Sequence, residues 1–174
     1  ILCFTSDIEW APEWAIKILI DDFKKADIPL TPFLTHESDI LKKEFLESDK
    51  SQYAGIHPNF LRGSDHGETY EDVSDFFKKL HPKARSFRSH CFYSDSRMTS
   101  HFFEQGFIYD SNLCLYLTRK CLPFVHNSGL ISFPVFWEDD IHWTWEDHFH
   151  FKNSKLEKEL LSPGLKVFNI HPLN

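Results

Sequence analysis

Residues 1–35 read ILCFTSDIEWAPEWAIKILIDDFKKADIPLTPFLT, and this stretch decides the expected fold class. It opens with an apolar run that is typical of a strand. Residues 11–26 then place apolar side chains at helical spacing. The segment that follows is extended, because Pro29 and Pro32 cannot sit inside a helix. A strand, a helix and a second strand in this order predict a parallel β-α-β unit and an α/β fold.

The same alternation of strands and helices continues along the rest of the chain. Strands are expected at residues 1–7, 28–35, 53–56, 84–87, 107–109, 130–136 and 166–170. Further helices are expected after Ser38 and at residues 69–80, 95–105 and 154–161. About seven strands predict an incomplete β/α barrel, since a complete eight-fold barrel needs about 250 residues; a doubly wound open sheet is the alternative. No linker or internal repeat divides the sequence, so we expect one domain over residues 1–174.

Composition and charge exclude several classes of function. The 174 residues carry 19 Lys and Arg against 26 Asp and Glu, a net charge of −7, so a nucleic-acid partner is not expected. No apolar run reaches the ~18 residues of a membrane span, so no stable membrane insertion is expected. The four cysteines form no C-x-x-C pair, and the opening residues lack a secretory leader pattern. The sequence therefore predicts a cytoplasmic protein with free thiols.

Ionisable side chains follow the ends of six expected strands. They are Asp7 and Glu9, His57, Arg88 and His90, Asp110, the run Glu138, Asp139 and Asp140, and His171. The carboxyl ends of parallel strands meet at one rim of a β/α barrel or open sheet, which is where ligands bind. The sequence therefore predicts one polar site at this rim.

Part of this set indicates a divalent metal ion. Asp7 and Glu9 point to the same face of an extended chain and repel each other unless a cation or an arginine lies between them. His57 and His66 flank a loop rich in glycine and proline, although their spacing alone is not a zinc signature. Two imidazoles and one carboxylate form the ligand set of an open catalytic zinc site. Zinc is the expected ion on grounds of availability, with cobalt and manganese as alternatives.

Seven short segments carry a resemblance to a known family. They are residues 4–10 (FTSDIEW), 55–60 (GIHPNF), 64–67 (SDHG), 88–90 (RSH), 109–112 (YDSN), 136–140 (FWEDD) and 168–172 (FNIHP). In this order they resemble the metal-dependent polysaccharide deacetylases of the NodB-homology type, which are carbohydrate esterase 4-like. The branch they resemble most is the WbmS-like one, associated with surface-polysaccharide biosynthesis. The resemblance implies a distorted, incomplete β/α barrel, in agreement with the strand count.

The resemblance also implies a metal site and a catalytic base. By position Asp7 corresponds to the base and Glu9 to a metal ligand. The family usually has two adjacent aspartates here, so an exchange of the two roles stays open. His57 and His66 correspond to the two metal histidines, although the loop between them is longer than in the family.

The remaining roles follow from the same resemblance. Arg88 corresponds to the arginine that orients the base, and His171 to the general acid. Asp139 is expected to hold His171. The residues expected to line the sugar pocket are Trp10, His90, Asp110 and Trp137. His142, His148 and His150 are expected in a solvated loop.

The predicted function is a metal-dependent hydrolase that removes an N-acetyl group from a sugar or glycan precursor. The resemblance places that reaction in the biosynthesis of a surface polysaccharide, an O-antigen or a capsule. One alternative is an O-deacetylase or another amidohydrolase with the same machinery. Another is a sugar-binding protein that keeps the barrel without catalysis, which Glu9 and the long histidine loop leave open.

Overall fold

The computed structural model describes residues 1–146, 149, 151–152 and 154–173, and within them the strands form one nine-stranded sheet. The strands are β1 (Leu2–Asp7), β2 (Leu30–Leu34), β3 (Gly55–Ile56), β4 (Ser86–Phe87), β5 (Tyr109–Asp110), β6 (Phe124–Val125), β7 (Ile131–Ser132), β8 (Val135–Glu138) and β9 (Lys166–Ile170). Their order is β6-β7-β5-β4-β3-β2-β1-β9-β8. All neighbours are parallel except the antiparallel pair of β6 and β7.

Helices connect most of the parallel strands. They are α1 (Glu13–Lys25), α2 (Asp39–Leu41), α3 (Tyr70–Leu80), α4 (Ser96–Glu104), α5 (Asp139–Glu146) and α6 (Lys155–Leu160). A π-helical turn continues α2 over Lys42–Leu46, and 3-10 turns occupy Asp49–Tyr53 and His90–Phe92. The side chains of Ser38, Thr69 and Asp95 cap α2, α3 and α4 by accepting backbone N–H bonds, as short polar residues at helix starts do.

The sheet curls until its two ends approach each other. Strand β8 is at one end of the strand order and β7 is next to the other end, although only residues 133–134 separate them in sequence. The segment that follows β5 runs beside β8, where the N–H of Leu115 donates to the carbonyl of Val135 at 2.8 Å. The predicted distorted, incomplete β/α barrel is therefore confirmed.

The structure corrects two of the expected elements. The strand expected at residues 130–136 is two strands, because Pro134 has no N–H and cannot continue the ladder. Together with β6, which was not predicted, this split raises the count from about seven strands to nine. The expected solvated loop around His142 begins as helix α5, in which His142 is buried. His148 and His150 lie outside the described residues.

The alternation of side chains along β1 separates the polar site from the apolar core. Successive residues of a strand point to opposite faces. Thr5 and Asp7 both accept hydrogen bonds from Arg88, at 2.9 and 3.1 Å. Phe4 points the other way and stacks on Phe168 with ring centroids 5.2 Å apart. The outer face of the curled sheet is thus apolar and is covered by helices. The inner face carries the charged groups of the site.

Two further expectations concern the whole chain. All four cysteines are free, as predicted. Among the described residues, no helix combines the length and the apolar character that crossing a bilayer requires.

Candidate active site

The rim formed by the carboxyl ends of the parallel strands gathers the titratable side chains, as expected from their positions in the sequence. Asp7 ends β1, His57 follows β3 and Arg88 follows β4. Glu138 ends β8 and His171 follows β9. The exposed fraction of each of these five side chains is below a tenth, so their charges interact in a region poor in water.

Glu9 is the point at which two imidazoles converge. Its Oε1 atom lies 2.9 Å from Nε2 of His57 and 2.9 Å from Nδ1 of His90. The three groups offer one carboxylate oxygen and two ring nitrogens within 4.8 Å of one another. Burial alone raises the pKa of Glu9, but the hydrogen bonds and charges of His57 and His90 outweigh it and lower that pKa. This donor set fits a divalent ion such as zinc.

Unusual backbone conformations aim two of these side chains. Glu9 and Trp10 both adopt left-handed conformations, with φ angles of 49° and 55°. Cys91 and Phe92, directly after His90, do the same at 55° and 53°. Such conformations cost of order 1–3 kcal/mol each in residues other than glycine and cluster at ligand-binding sites. The rest of the fold therefore holds these strained turns in place, and with them the close approach of Glu9 to His90.

His66 does not join this group, although it was expected as a metal ligand. Its Nε2 donates to the carbonyl of Thr35 at 2.9 Å, and its Nδ1 accepts the N–H of Asn59 at 3.0 Å. Both ring nitrogens are therefore engaged, and the indole of Trp10 stacks on the ring. Burial lowers the pKa of His66, so the ring is neutral at neutral pH. The imidazole that contacts Glu9 beside His57 is that of His90.

Asp7 is held by two buried partners. Nη1 of Arg88 lies 3.1 Å from Oδ1 of Asp7, and Nδ2 of Asn169 donates to Oδ2 at 2.8 Å. The arginine also donates to Oδ1 of Asn169 and to the main chain and hydroxyl of Ser111. Burial raises the pKa of Asp7, but Arg88 and then His57 outweigh it and hold that pKa well below its ordinary value. Asp7 is therefore an ionised carboxylate with a fixed orientation.

His57 lies between two carboxylates. Its Nδ1 atom is 3.3 Å from Oδ1 of Asp7, without the geometry of a hydrogen bond, while its Nε2 contacts Glu9. Burial lowers the pKa of His57, but Asp7 and Glu9 together raise it to about 9. The surroundings of His57 thus stabilise positive charge, which either a proton or a bound cation supplies.

His171 is paired with the aspartate that was expected to hold it. Nδ1 of His171 lies 2.6 Å from Oδ1 of Asp139, and its main-chain N–H donates to Oδ2 at 2.7 Å. Burial lowers the pKa of His171, but the hydrogen bond and charge of Asp139 outweigh it and raise the pKa to about 9. The ring is therefore an imidazolium at neutral pH, with Nε2 left for other partners.

Two buried residues of the site received no role from the sequence. Asn169 bonds both Asp7 and Arg88, and it lies two residues before His171 on β9. Glu138 ends β8 with an oxygen 3.8 Å from Nε2 of His171. The sequence could have indicated Glu138 as a site residue because it lies at the end of an expected strand. It could have indicated Asn169 because the alternation of side chains along β9 points this residue inward near the carboxyl end of that strand.

The residues expected to bind sugar have different positions. Trp10 is 36% exposed and meets the ring of His90 edge-on at 5.6 Å, so it borders the site. Trp137 is buried and packs on Phe168 in the core, so it does not line the pocket. Asp110 is also buried, where it accepts from Ser132 and from Nδ2 of Asn112.

An open cleft beside Glu9 leads to these groups. Its volume is about 240 Å³. It is lined by Glu9, Ala11, His90, Asp140, His171, Pro172 and Leu173. Glu9, His90 and the imidazolium of His171 therefore face one cavity of a size suited to part of a sugar.

Comparisons with known proteins identify the family and agree with the fold. A family model described as WbmS-like polysaccharide deacetylase matches residues 4–174. A crystal structure from Bordetella bronchiseptica, described as a candidate polysaccharide deacetylase involved in O-antigen biosynthesis, superposes with a TM-score of 0.85 and 25% identity over 99% of this chain and 71% of that one. A candidate polysaccharide deacetylase from Mycobacterium smegmatis shares the fold, with a TM-score of 0.55 and 15% identity over 98% and 76% of the two chains. No curated protein matches the chain.

Proposed function

The chain belongs to the family of WbmS-like polysaccharide deacetylases, and on this premise we propose that it is a metal-dependent hydrolase that removes the acetyl group from the nitrogen of a sugar. The Bordetella relative is described as acting in O-antigen biosynthesis. We therefore assign the substrate to the N-acetylated sugars or glycan precursors of a surface polysaccharide. The observation that carries the proposal is the convergence of His57 and His90 on one oxygen of Glu9.

In this proposal Glu9, His57 and His90 hold the metal ion, with zinc first and cobalt or manganese as substitutes. A bound divalent ion supplies Lewis acidity, which polarises the acetyl carbonyl and lowers the pKa of water. His90 replaces His66 in the expected ligand set, because the ring nitrogens of His66 are both occupied. Glu9, and not Asp7, is the carboxylate ligand, since Arg88 and Asn169 already engage Asp7.

Asp7 is the general base of the proposed reaction. The Arg88 guanidinium keeps it ionised, and Asn169 fixes its second oxygen. Asp7 accepts a proton from the attacking water while the remaining hydroxyl forms a bond to the acyl carbon.

His171 is the general acid. Asp139 holds its Nδ1–H, so the proton on Nε2 is the one available to the substrate. Transfer of that proton to the amide nitrogen accompanies cleavage of the C–N bond, whose electron pair stays on nitrogen. The products are acetic acid, which ionises in solution, and a free amino sugar.

The metal content of the protein purified without chelator tests the ligand set. We expect about one divalent ion per chain in the wild type and its loss in His57→Ala and His90→Ala. His81→Ala is the control, since His81 is about as buried as His57 and its Nε2 bonds the main-chain carbonyl of Ala54. Retention of metal by both variants would contradict the assignment.

Acetate release by the metal-loaded protein tests the reaction. The probes are the N-acetylglucosamine tetramer chitotetraose and the O-acetyl ester 4-nitrophenyl acetate. Release from the tetramer that is strongly reduced in Asp7→Asn supports an N-deacetylase. Release from the ester alone indicates an O-deacetylase, and tight binding of the tetramer without release indicates a sugar-binding protein.

A further inference from the structure

Glu138 is a buried carboxyl group that the proposed reaction does not use. It is 6% exposed and ends β8. One oxygen, Oε1, lies 3.5 Å from Nδ2 of Asn169 and 3.8 Å from Nε2 of His171. The other, Oε2, has no hydrogen-bond partner within the described part of the chain. A carboxylate left so poorly paired in a buried site is costly, whereas a neutral carboxylic acid is tolerated.

Glu138 lies beside both the proposed base and the proposed acid. One oxygen of Asp7, one of Glu138 and a ring nitrogen of His171 lie within 4.8 Å of one another. Since Asp139 occupies Nδ1 of His171, the nitrogen that faces Glu138 is Nε2. A second cation is disfavoured among these groups, because Arg88 already places its positive charge 3.1 Å from Asp7.

We propose that Glu138 returns a proton from Asp7 to His171 at the end of each turnover. This inference rests on the proposed function, in which Asp7 gains the proton of water and His171 loses its Nε2 proton to the amine. Glu138 then donates its carboxyl proton to Nε2 of His171 and takes the proton held by Asp7. One O–H bond breaks on Asp7, one is exchanged on Glu138, and one N–H bond forms on His171. Base and acid thereby regain their starting forms without any other reactant.

The charges around Glu138 suit a group that both holds and releases a proton. Burial is the main cause that raises its pKa, the charge of Asp7 and then that of Asp139 add to it, and His171 and Arg88 oppose it. The result is a pKa of about 7 for Glu138.

Two cysteines near Glu138 do not compete for the proton. Burial is the main cause that raises the pKa of the thiols of Cys91 and Cys114; the charge of Glu138 adds to it at both, after that of Glu9 at Cys91, so neither thiol exchanges a proton at neutral pH. The pKa of His171 is about 9, above that of Glu138. The direction of this difference in pKa is the one that transfer from Glu138 to His171 needs.

The burial of Asp7, Glu138 and His171 makes an internal path for the returning proton useful. Asp7 is 3% exposed, Glu138 6% and His171 9%. Exchange of protons with bulk water requires the cleft, which product occupies directly after hydrolysis. A buried carboxyl group beside the base and the acid resets the site without waiting for that exchange.

The experiment compares the first turnover with the steady state in Glu138→Gln. The amide keeps the size of the side chain and its contact with Asn169 but cannot carry a proton. With chitotetraose as probe, we expect a first turnover close to that of the wild type. We expect a steady-state rate lower by about 10²-fold, the low end for a positioned proton-transfer group. Added imidazole buffer, acting as a mobile proton carrier, should restore that rate. Equal reductions of both phases, or no reduction, would overturn the inference.

A second readout is independent of turnover. Infrared titration of the metal-free protein should show the carbonyl band of a neutral carboxylic acid that disappears near pH 7. This band should be missing in Glu138→Gln and present in Glu159→Gln, the matched control at another buried glutamate, which pairs with Arg119. Absence of the band from the wild type contradicts the role of Glu138. A wild type that releases no acetate contradicts the proposed function instead, and the band still decides the state of Glu138.

Discussion

Oε1 of Glu9 lies 2.9 Å from both Nε2 of His57 and Nδ1 of His90, although 48 and 81 residues separate the members of these pairs. The two histidines follow adjacent parallel strands, β3 and β4, while Glu9 follows β1 two positions further along the sheet. Strained turns at Glu9 and after His90 bring the side chains over the rim. His90 contacts Glu9 and His66 does not, so variants of these two histidines should differ in zinc affinity.

His90→Ala should weaken zinc binding, whereas His66→Ala should lower the stability of the fold. Loss of His90 removes a proposed ligand. Residues that only support a ligand typically change metal affinity by about 10–100-fold, so the fall in zinc affinity should be larger than that. Loss of His66 should leave zinc affinity within a few-fold. It should lower the free energy of unfolding by about 1–3 kcal/mol, because the buried carbonyl of Thr35 and the partly buried N–H of Asn59 lose their partner. Calorimetric titration with zinc and urea denaturation measure the two effects, and loss of zinc by the His66 variant alone would refute the assignment.

Asp7→Asn should separate chemistry from metal binding. Removal of the base should lower acetate release by about 10²–10⁴-fold. Metal content should be unchanged, because Asp7 is not among the proposed ligands. The variant leaves the buried Arg88 guanidinium without its carboxylate, so unfolding should become easier by about 3–5 kcal/mol. Elemental analysis and denaturation check both statements; metal loss in this variant would instead make Asp7 a ligand.

Asp139→Asn should shift the alkaline limit of activity. In the wild type, His171 stays protonated up to a pKa of about 9, against an ordinary value of 6.5. Since the folded value is the higher one, this pair stabilises the fold fully below about pH 6.5, and its contribution is lost as the pH rises through about 9. The variant should lose that stabilisation at acidic and neutral pH.

The same variant should move the alkaline limb of the rate profile down towards pH 6.5, because an amide no longer stabilises the imidazolium. NMR titration of the His171 ring checks the pKa directly. Asp140→Asn is the comparison at the neighbouring residue, whose oxygen lies further from Nδ1, at 3.6 Å. An unchanged His171 pKa in Asp139→Asn would show that another group supplies the shift.

Asn112→Ala should weaken metal binding indirectly, through the main-chain segment that carries His90. Oδ1 of Asn112 accepts the N–H of Ser89 at 2.6 Å, and its Nδ2 donates to Asp110. Ser89 lies between Arg88 and His90, so this contact fixes the segment that carries both. We expect zinc affinity to fall by about 10–100-fold, as for other residues that orient a ligand. Asn112→Ala with wild-type affinity would show that the strained turn holds His90 without it.

Some parts of the site could be predicted from the sequence, and particular residues show why others could not. Asp7, His57, Arg88 and His171 were identified because each ends or follows an expected strand, and parallel strands place these positions at one rim. Trp137 was expected in the pocket but is in the core. A bulge between Val135 and Trp137 sets Trp137 beside Phe168 and Glu138 beside Asn169. Counting residues along the strand cannot detect such a shift of register.

The sequence by itself determined the alternation of strands and helices, the barrel class and the rim at which charge collects, because these depend on local periodicity and on the parallel order of strands. Only the tertiary structure decided which histidine meets Glu9. That choice depends on the path of the loop after His57, where Thr35 and Asn59 engage His66, and on the turn after Arg88 that carries His90. The tertiary structure also brought Glu138 close to both Asp7 and His171. Contacts of a few ångströms between residues far apart in sequence are set by packing and loop geometry, which spacing along the chain does not encode.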